Sequence, residues 1–157
     1  MANFILFLLF IISGVYQKSV SSTVYESQIK NNNTQVKRIV ALTSLSADVV
    51  SSISNDSLVG IPGSSLFKGN NDFKNKVIVS SGRNPPNLEK IIKLKPELVI
   101  GSKGFHDKTL KSLNKLGIKT ISARITNFND LDKLSSDIQI LLSKKVKLDL
   151  ATLMPNC

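Results

Sequence analysis

Metal-binding and redox chemistry are poorly provided for in this sequence. Its one cysteine is the last residue, Cys157, and its one histidine is His106. No intrachain disulfide can form, the redox compartment cannot be read from cysteine usage, and a zinc centre of clustered His and Cys is excluded. Tryptophan is absent and aromatics make up only 6% of the chain. Acidic residues number 11 against 21 lysines and arginines, giving a formal net charge of +10 over 157 residues. Such a balance suits nucleic acid, an anionic membrane surface or an anionic ligand, and equally a lysine-rich solvated surface. The lysines are scattered, with no dense basic run interleaved with aromatics, which argues against nucleic acid as a partner.

Catalytic signatures are also missing. No G-x-G-x-x-G follows the first predicted strand, and neither G-x-x-x-x-G-K-[ST] nor G-x-S-x-G occurs. No acidic cluster stands at the predicted strand ends to hold magnesium, since Asp48 falls inside the first helix. His106, the sole imidazole base available, sits where a helix begins, a position more often structural than catalytic. No catalytic residue, metal site or cofactor is therefore assigned.

The one long apolar run, FILFLLFII at 4–12, is well short of the roughly 20 residues that span a bilayer as a helix. It suits the h-region of a secretory signal, with small residues at Val20-Ser21-Ser22 for cleavage, although MAN before it carries no Lys or Arg. Residues 1–22 thus read as a signal peptide or a short anchor, and a lipid anchor is disfavoured because no Cys lies nearby. Residues 23–36, rich in Ser and Asn, read as a polar linker.

From Lys37 the pattern changes. Branched apolar runs predict strands at RIVALT, LVGI, VIV, LVI and IKTI. Between them lie helical periodicities. The first has Leu45, Val49, Val50 and Ile53 on one face behind a Ser46 cap, and the second has Leu88, Ile91, Ile92 and Leu94 behind an Asn87 cap. A third is spaced through Leu110, Leu113 and Leu116 behind Asp107, and the last runs through Leu131, Leu134, Ile138, Leu141 and Leu142. The order is strand, helix, strand, short strand, helix, strand, helix, strand, helix. That alternation predicts an α/β fold: a single Rossmann-like lobe whose parallel sheet of about four to five strands carries helices on both faces.

Ligands of open parallel sheets bind beyond the carboxyl ends of the strands. Those ends are alike here: Thr43-Ser44, Pro62-Gly63-Ser64-Ser65, Ser80-Ser81-Gly82-Arg83, Ser102-Lys103-Gly104-Phe105-His106 and Ala123-Arg124. Small and hydroxyl residues let a ligand approach the backbone, and Arg83, Lys103, His106 and Arg124 would gather positive charge on one rim. The candidate ligand-binding set is Ser44, Ser64, Ser65, Arg83, Lys103, His106 and Arg124, for a small anionic ligand. Turns need Ser and Gly on their own account, and rim cations are commonly just solvated, so both readings stand.

Taken together, RIVALTSLSADVV, LVGIPGSS, GRNPPNLEKIIKLKPELVIGS and LKSLNKLGIKTI resemble the periplasmic substrate-binding proteins of ATP-driven (ABC) importers of ferric siderophores, haem and cobalamin. The most specific piece is NLEKIIKLKPELVIGS, close to the usual N-L-E-x-I-x-x-L-x-P-D-L-V-I run, and the likeness covers residues 37–143. It implies a non-enzymatic, periplasmic binding protein of two α/β lobes joined by a long helix, with the ligand between them. It also implies an inner-membrane permease as partner. The Glu of N-L-E, here Glu89, would dock on a basic pocket of that permease. Two departures matter. The tail KKVKLDLATLMPNC, at 144–157, does not resemble a second lobe, so the expectation is an amino-terminal lobe truncated there or completed by a separate chain. Where cobalamin binders carry an aromatic, this sequence has Gly82-Arg83-Asn84, and no Tyr follows Tyr25, which disfavours Tyr-ligated haem or bare ferric ion. An anionic ferric chelate facing Arg83 and Arg124 fits better. Alternatives are an exported or anchored α/β enzyme that uses His106 and a strand-end Ser on an anionic substrate, and a non-functional fragment.

Overall fold

Three residues with no polar side chain among them, Ile39–Ala41, form the central strand β1 and are wholly buried. In the computed structural model, which describes residues 35–81 and 84–142, β1 is followed by α1 (Ser44–Ser54), β2 (Leu58–Pro62) and β3 (Val77–Ser80). Then come α2 (Leu88–Lys93), β4 (Leu98–Ser102), α3 (Asp107–Lys115), β5 (Lys119–Ala123) and α4 (Phe128–Leu141). This is the predicted order, and every strand pair is parallel, in the spatial order β3-β2-β1-β4-β5. The predicted signal or anchor, the linker up to residue 34, Arg83 and the tail at 144–157 lie outside the described residues.

A strand turns alternate residues to opposite faces, so a sheet buried on both sides needs continuous apolar strands. One face packs Val40, Leu42, Val79 and Val99 against Ile91 of α2 and Leu110 and Leu113 of α3. On the other, α1 lies on β1 and β2 and against α4, with Val49, Val50, Leu131, Leu134 and Ile138 almost fully buried. Each such side chain contributes about 1.5–3 kcal/mol on leaving water, so the two layers supply most of the drive to fold. Gln35 and Val36, read from sequence as the end of the linker, are tied to the end of α4. The Val36 N–H donates to the Leu141 carbonyl at 2.9 Å, and Gln35 Nε2 donates to the Leu142 carbonyl at 3.1 Å.

Helix starts and stripes differ in detail from the sequence reading. The α1 cap is Thr43, whose Oγ1 accepts from the Ser46 N–H at 3.2 Å, because the chain turns helical directly after β1. Asn87 does cap α2, accepting from the Lys90 N–H at 2.9 Å. Asp107 is not a cap. It sits in the first turn of α3, and its carboxylate accepts from the Gly104 N–H and the Ser122 hydroxyl, both at 2.9 Å. Leu88 and Ile92 are 36% and 43% exposed, since a helix of six residues turns only one narrow stripe, Ile91 and Leu94, to the sheet. Leu116 is 62% exposed because α3 ends beside it, and Gly117, at φ 80°, turns the chain so that Ile118 packs on the core instead.

The α2–β4 connection is fastened to the foot of β1. The Arg38 guanidinium donates twice to the Leu94 carbonyl, at 2.9 and 2.7 Å, which satisfies a carbonyl at the helix end. The Glu97 carboxylate accepts from the backbone N–H groups of Lys37 and Arg38. Between them Lys95 takes φ 47°, a left-handed conformation that costs a residue with a Cβ.

Candidate ligand-binding cleft

Sequential strands leave β1 in opposite directions, β2 and β3 to one side and β4 and β5 to the other. Connections therefore part above the carboxyl ends of β1 and β4 and leave a crevice between them. A cleft of about 370 Å³ lies there. After β1 it is lined by Leu42, Thr43 and Ser44, after β2 by Pro62, Gly63 and Ser64, and after β4 by Ser102, Phe105 and His106. A smaller cavity of about 200 Å³ shares Thr43 and Ser102 and extends towards Ala123 and Leu134.

Each wall has a local cause. Ser44 opens α1, whose first turn holds no acidic residue, so the positive end of the helix is unopposed at the cleft. Gly63 is there because nothing larger fits. Its N–H donates to the Ser80 carbonyl at 2.7 Å, and a Cβ would stand 2.7 Å from that same oxygen. Ser64 folds its hydroxyl back to accept from the Leu66 N–H at 3.2 Å, which starts the short turn Ser65–Phe67.

His106 is the most constrained member, at 5% exposure. Its Nδ1 accepts from the Ser102 N–H at 3.0 Å, so in the neutral ring the proton is on Nε2. Nε2 has no hydrogen-bond partner among the described residues, and the ring lines the cleft. Burial pushes the His106 pKa below its ordinary value, an effect the Asp107 carboxylate partly offsets. Behind the ring is Gly101, where a Cβ would approach His106 Cβ to 2.8 Å. Phe105 and the imidazole form a T-shaped pair with ring centroids 4.8 Å apart, and Phe105 is itself 66% exposed.

Of the residues singled out from sequence, Ser44, Ser64 and His106 come together in the cleft. Ser65, Lys103 and Arg124 are exposed and stand outside its lining, and Arg83 lies outside the described residues. The lining among the described residues carries no lysine or arginine. Glu89 is exposed in the first turn of α2. Thr43, Gly63, Ser102 and Phe105, which stand at strand ends in the sequence, also line the cleft. A strand-end position was the only signal available for them. Among the described residues there is no group of three or more His, Cys, Asp or Glu that could hold a metal, and no helix long and apolar enough to cross a membrane.

Comparison with known proteins gives the same frame. The periplasmic binding protein family matches residues 39–141. No curated protein matches the chain. Among solved structures, Staphylococcus aureus SirA complexed with staphyloferrin B is 31% identical with a TM-score of 0.57, over 71% of this chain and 39% of that one. A periplasmic solute-binding protein of Veillonella parvula gives a TM-score of 0.61 at 23% identity, over 70% and 36%. The periplasmic vitamin B12 binding protein BtuF of Vibrio cholerae gives 0.53 at 20%, over 69% and 45%. The last two speak for the fold alone. The chain spans less than half the length of each of these three. With the match running from β1 to the last residue of α4, the chain belongs to the periplasmic binding protein family.

Proposed function

We propose that the chain is the amino-terminal, ligand-binding lobe of the substrate-binding component of an ABC importer for an iron chelate or a cobalamin-type ligand. Family members are solute-binding proteins, periplasmic or extracellular. The observation that carries the reading is the cleft at the carboxyl ends of β1, β2 and β4, where a helix amino terminus, serine hydroxyls and the His106 Nε2–H converge. These groups suit a ligand rich in oxygen acceptors, and the exposed Lys103 and Arg124 would offset its negative charge from the rim. In this reading FILFLLFII directs export to the periplasm, and Glu89 docks on the permease. An enzymatic role for His106 gains no support, because its Nδ1 is engaged by a backbone amide rather than by a carboxylate that would orient a base.

Amide resonances of the full chain test the reading during titration with a ferric siderophore, haem and cobalamin. The lobe offers a wall on one side, which covers about half of such a ligand, so binding weaker than micromolar is expected. Shifts should cluster at Ser44, Gly63, Ser64 and Gly104. Unmoved resonances at these positions with all three ligand types would overturn the proposal. Docking has its own test in a two-lobed context, where Glu89→Arg should abolish uptake and leave ligand binding intact.

A further inference from the structure

Phe105 is a large apolar side chain left 66% exposed, yet it lies on one of the best-fastened loops of the lobe. The Lys103 N–H donates to the Ala123 carbonyl at 2.8 Å, and the His106 N–H to the Ser102 carbonyl at 2.9 Å. Gly104, at φ 86°, makes the turn, and its N–H is held by the Asp107 carboxylate, which also accepts from Ser122 of β5. The ring is therefore presented rather than loose. One side of the ring meets the His106 imidazole in a T-shaped pair, and much of the remainder faces the solvent beside the cleft. His106 is fixed as well. The Ser102 N–H holds Nδ1 and Gly101 backs the ring, so Nε2–H is a single donor of set direction. The adjoining lining supplies hydroxyls and, among the described residues, no charged side chain.

An exposed aromatic face favours a planar apolar partner, and a fixed neutral donor favours an oxygen acceptor. An aliphatic polycarboxylate would use the donor but leave the Phe105 face in water. A chelate built on aromatic rings with oxygens at their edges would use both. We propose that the loop at 102–107 sets ligand specificity in favour of aromatic oxygen chelates of the catecholate class, with Phe105 taking a ring face and His106 Nε2–H an oxygen at the ring edge. The inference rests on the ligand-cleft reading above and narrows it to one chemical class.

The test titrates the full chain with gallium(III) tris-catecholate and gallium(III) citrate, diamagnetic stand-ins for the ferric complexes, followed by amide resonances. The catecholate complex should bind about tenfold tighter than the citrate complex. Phe105→Ala should remove about three- to tenfold of that affinity, the range of one aromatic pair, and leave citrate binding unchanged. His106→Asn keeps an acceptor for the Ser102 N–H and lacks the Nε2–H donor, so it should weaken the catecholate complex in a protein that still folds. Citrate binding equal to or tighter than catecholate, or a Phe105→Ala titration that matches wild type, overturns the specificity assignment and leaves the cleft reading standing. Failure of both complexes to move the cleft resonances overturns the specificity assignment, and the titration with haem and cobalamin then decides the cleft reading separately.

Discussion

His106 shows how much one residue can be asked to do when its neighbours leave no slack. Folding lowers its pKa below the ordinary 6.5, because burial penalises the charged ring. The unfolded chain thus takes up the proton first. The stability this group contributes is present above about pH 6.5 and is lost as pH falls through the lower folded value. The direction is reinforced by geometry, since an imidazolium Nδ1–H would face the Ser102 N–H donor. Denaturant unfolding at pH 7.5 and pH 5 should show a larger loss for wild type than for His106→Asn, which retains the acceptor and does not titrate. Equal losses would move the acid sensitivity elsewhere. Asp48 and Asp137, half-buried with raised pKa values, act in the opposite sense on acidification and cancel in that comparison. Gly101→Ala tests the seat from behind. Its Cβ would stand 2.8 Å from His106 Cβ and 3.1 Å from Leu110 Cδ1. A loss of about 1–3 kcal/mol is expected from this overpacking, read as a lowered Tm, together with weaker ligand shifts at the cleft. His106 was visible in the sequence as a lone imidazole at a strand end, but its tautomer was not, because that depends on a backbone amide four residues away.

At the scale of the element, α2 is the informative case. Six residues cannot hold a helix in water on their own, so its existence depends on both ends being fastened. Asn87 closes the start and Arg38 reaches from the foot of β1 to close the finish. Asn87→Ala should cost about 1 kcal/mol in denaturant unfolding. Lys95→Gly should go the other way, by about 0.5 kcal/mol, as relief of the left-handed strain exceeds the added freedom of the unfolded chain. A destabilised Lys95→Gly protein would count against that strain. The sequence announced this element well, with an N-cap, a first-turn carboxylate and a terminating proline all in NLEKIIKLKP. It misled about burial, because periodicity marks which apolar residues could share a face and not how wide a face the sheet covers. The same shortfall left Leu116 solvent-exposed at the end of α3, where a left-handed glycine redirects the chain.

For the lobe as a whole, alternation of runs was enough to predict a parallel sheet with helices on both faces, since βαβ connections leave few other arrangements. The location of the cleft followed from that topology. Its chemistry was only half legible. Strand-end Ser, Gly and His residues reach the lining, whereas Lys103 and Arg124 are exposed outside it, a distinction set by side-chain direction that spacing does not encode. The central strand β1 has a further consequence. It is three residues long, and its fastening to the β4 side comes from residues some 59 positions downstream. Until that far stretch exists, β1 has a ladder on one flank only, and α2 lacks the part of its seat that Val99 supplies. Contacts this distant in sequence make folding late and slow. A chain halted after Lys95 should therefore unfold without a cooperative transition, while one carried through residue 142 should show a single one. Late closure of the middle strand means that most of the chain must be made before the sheet can close around its centre.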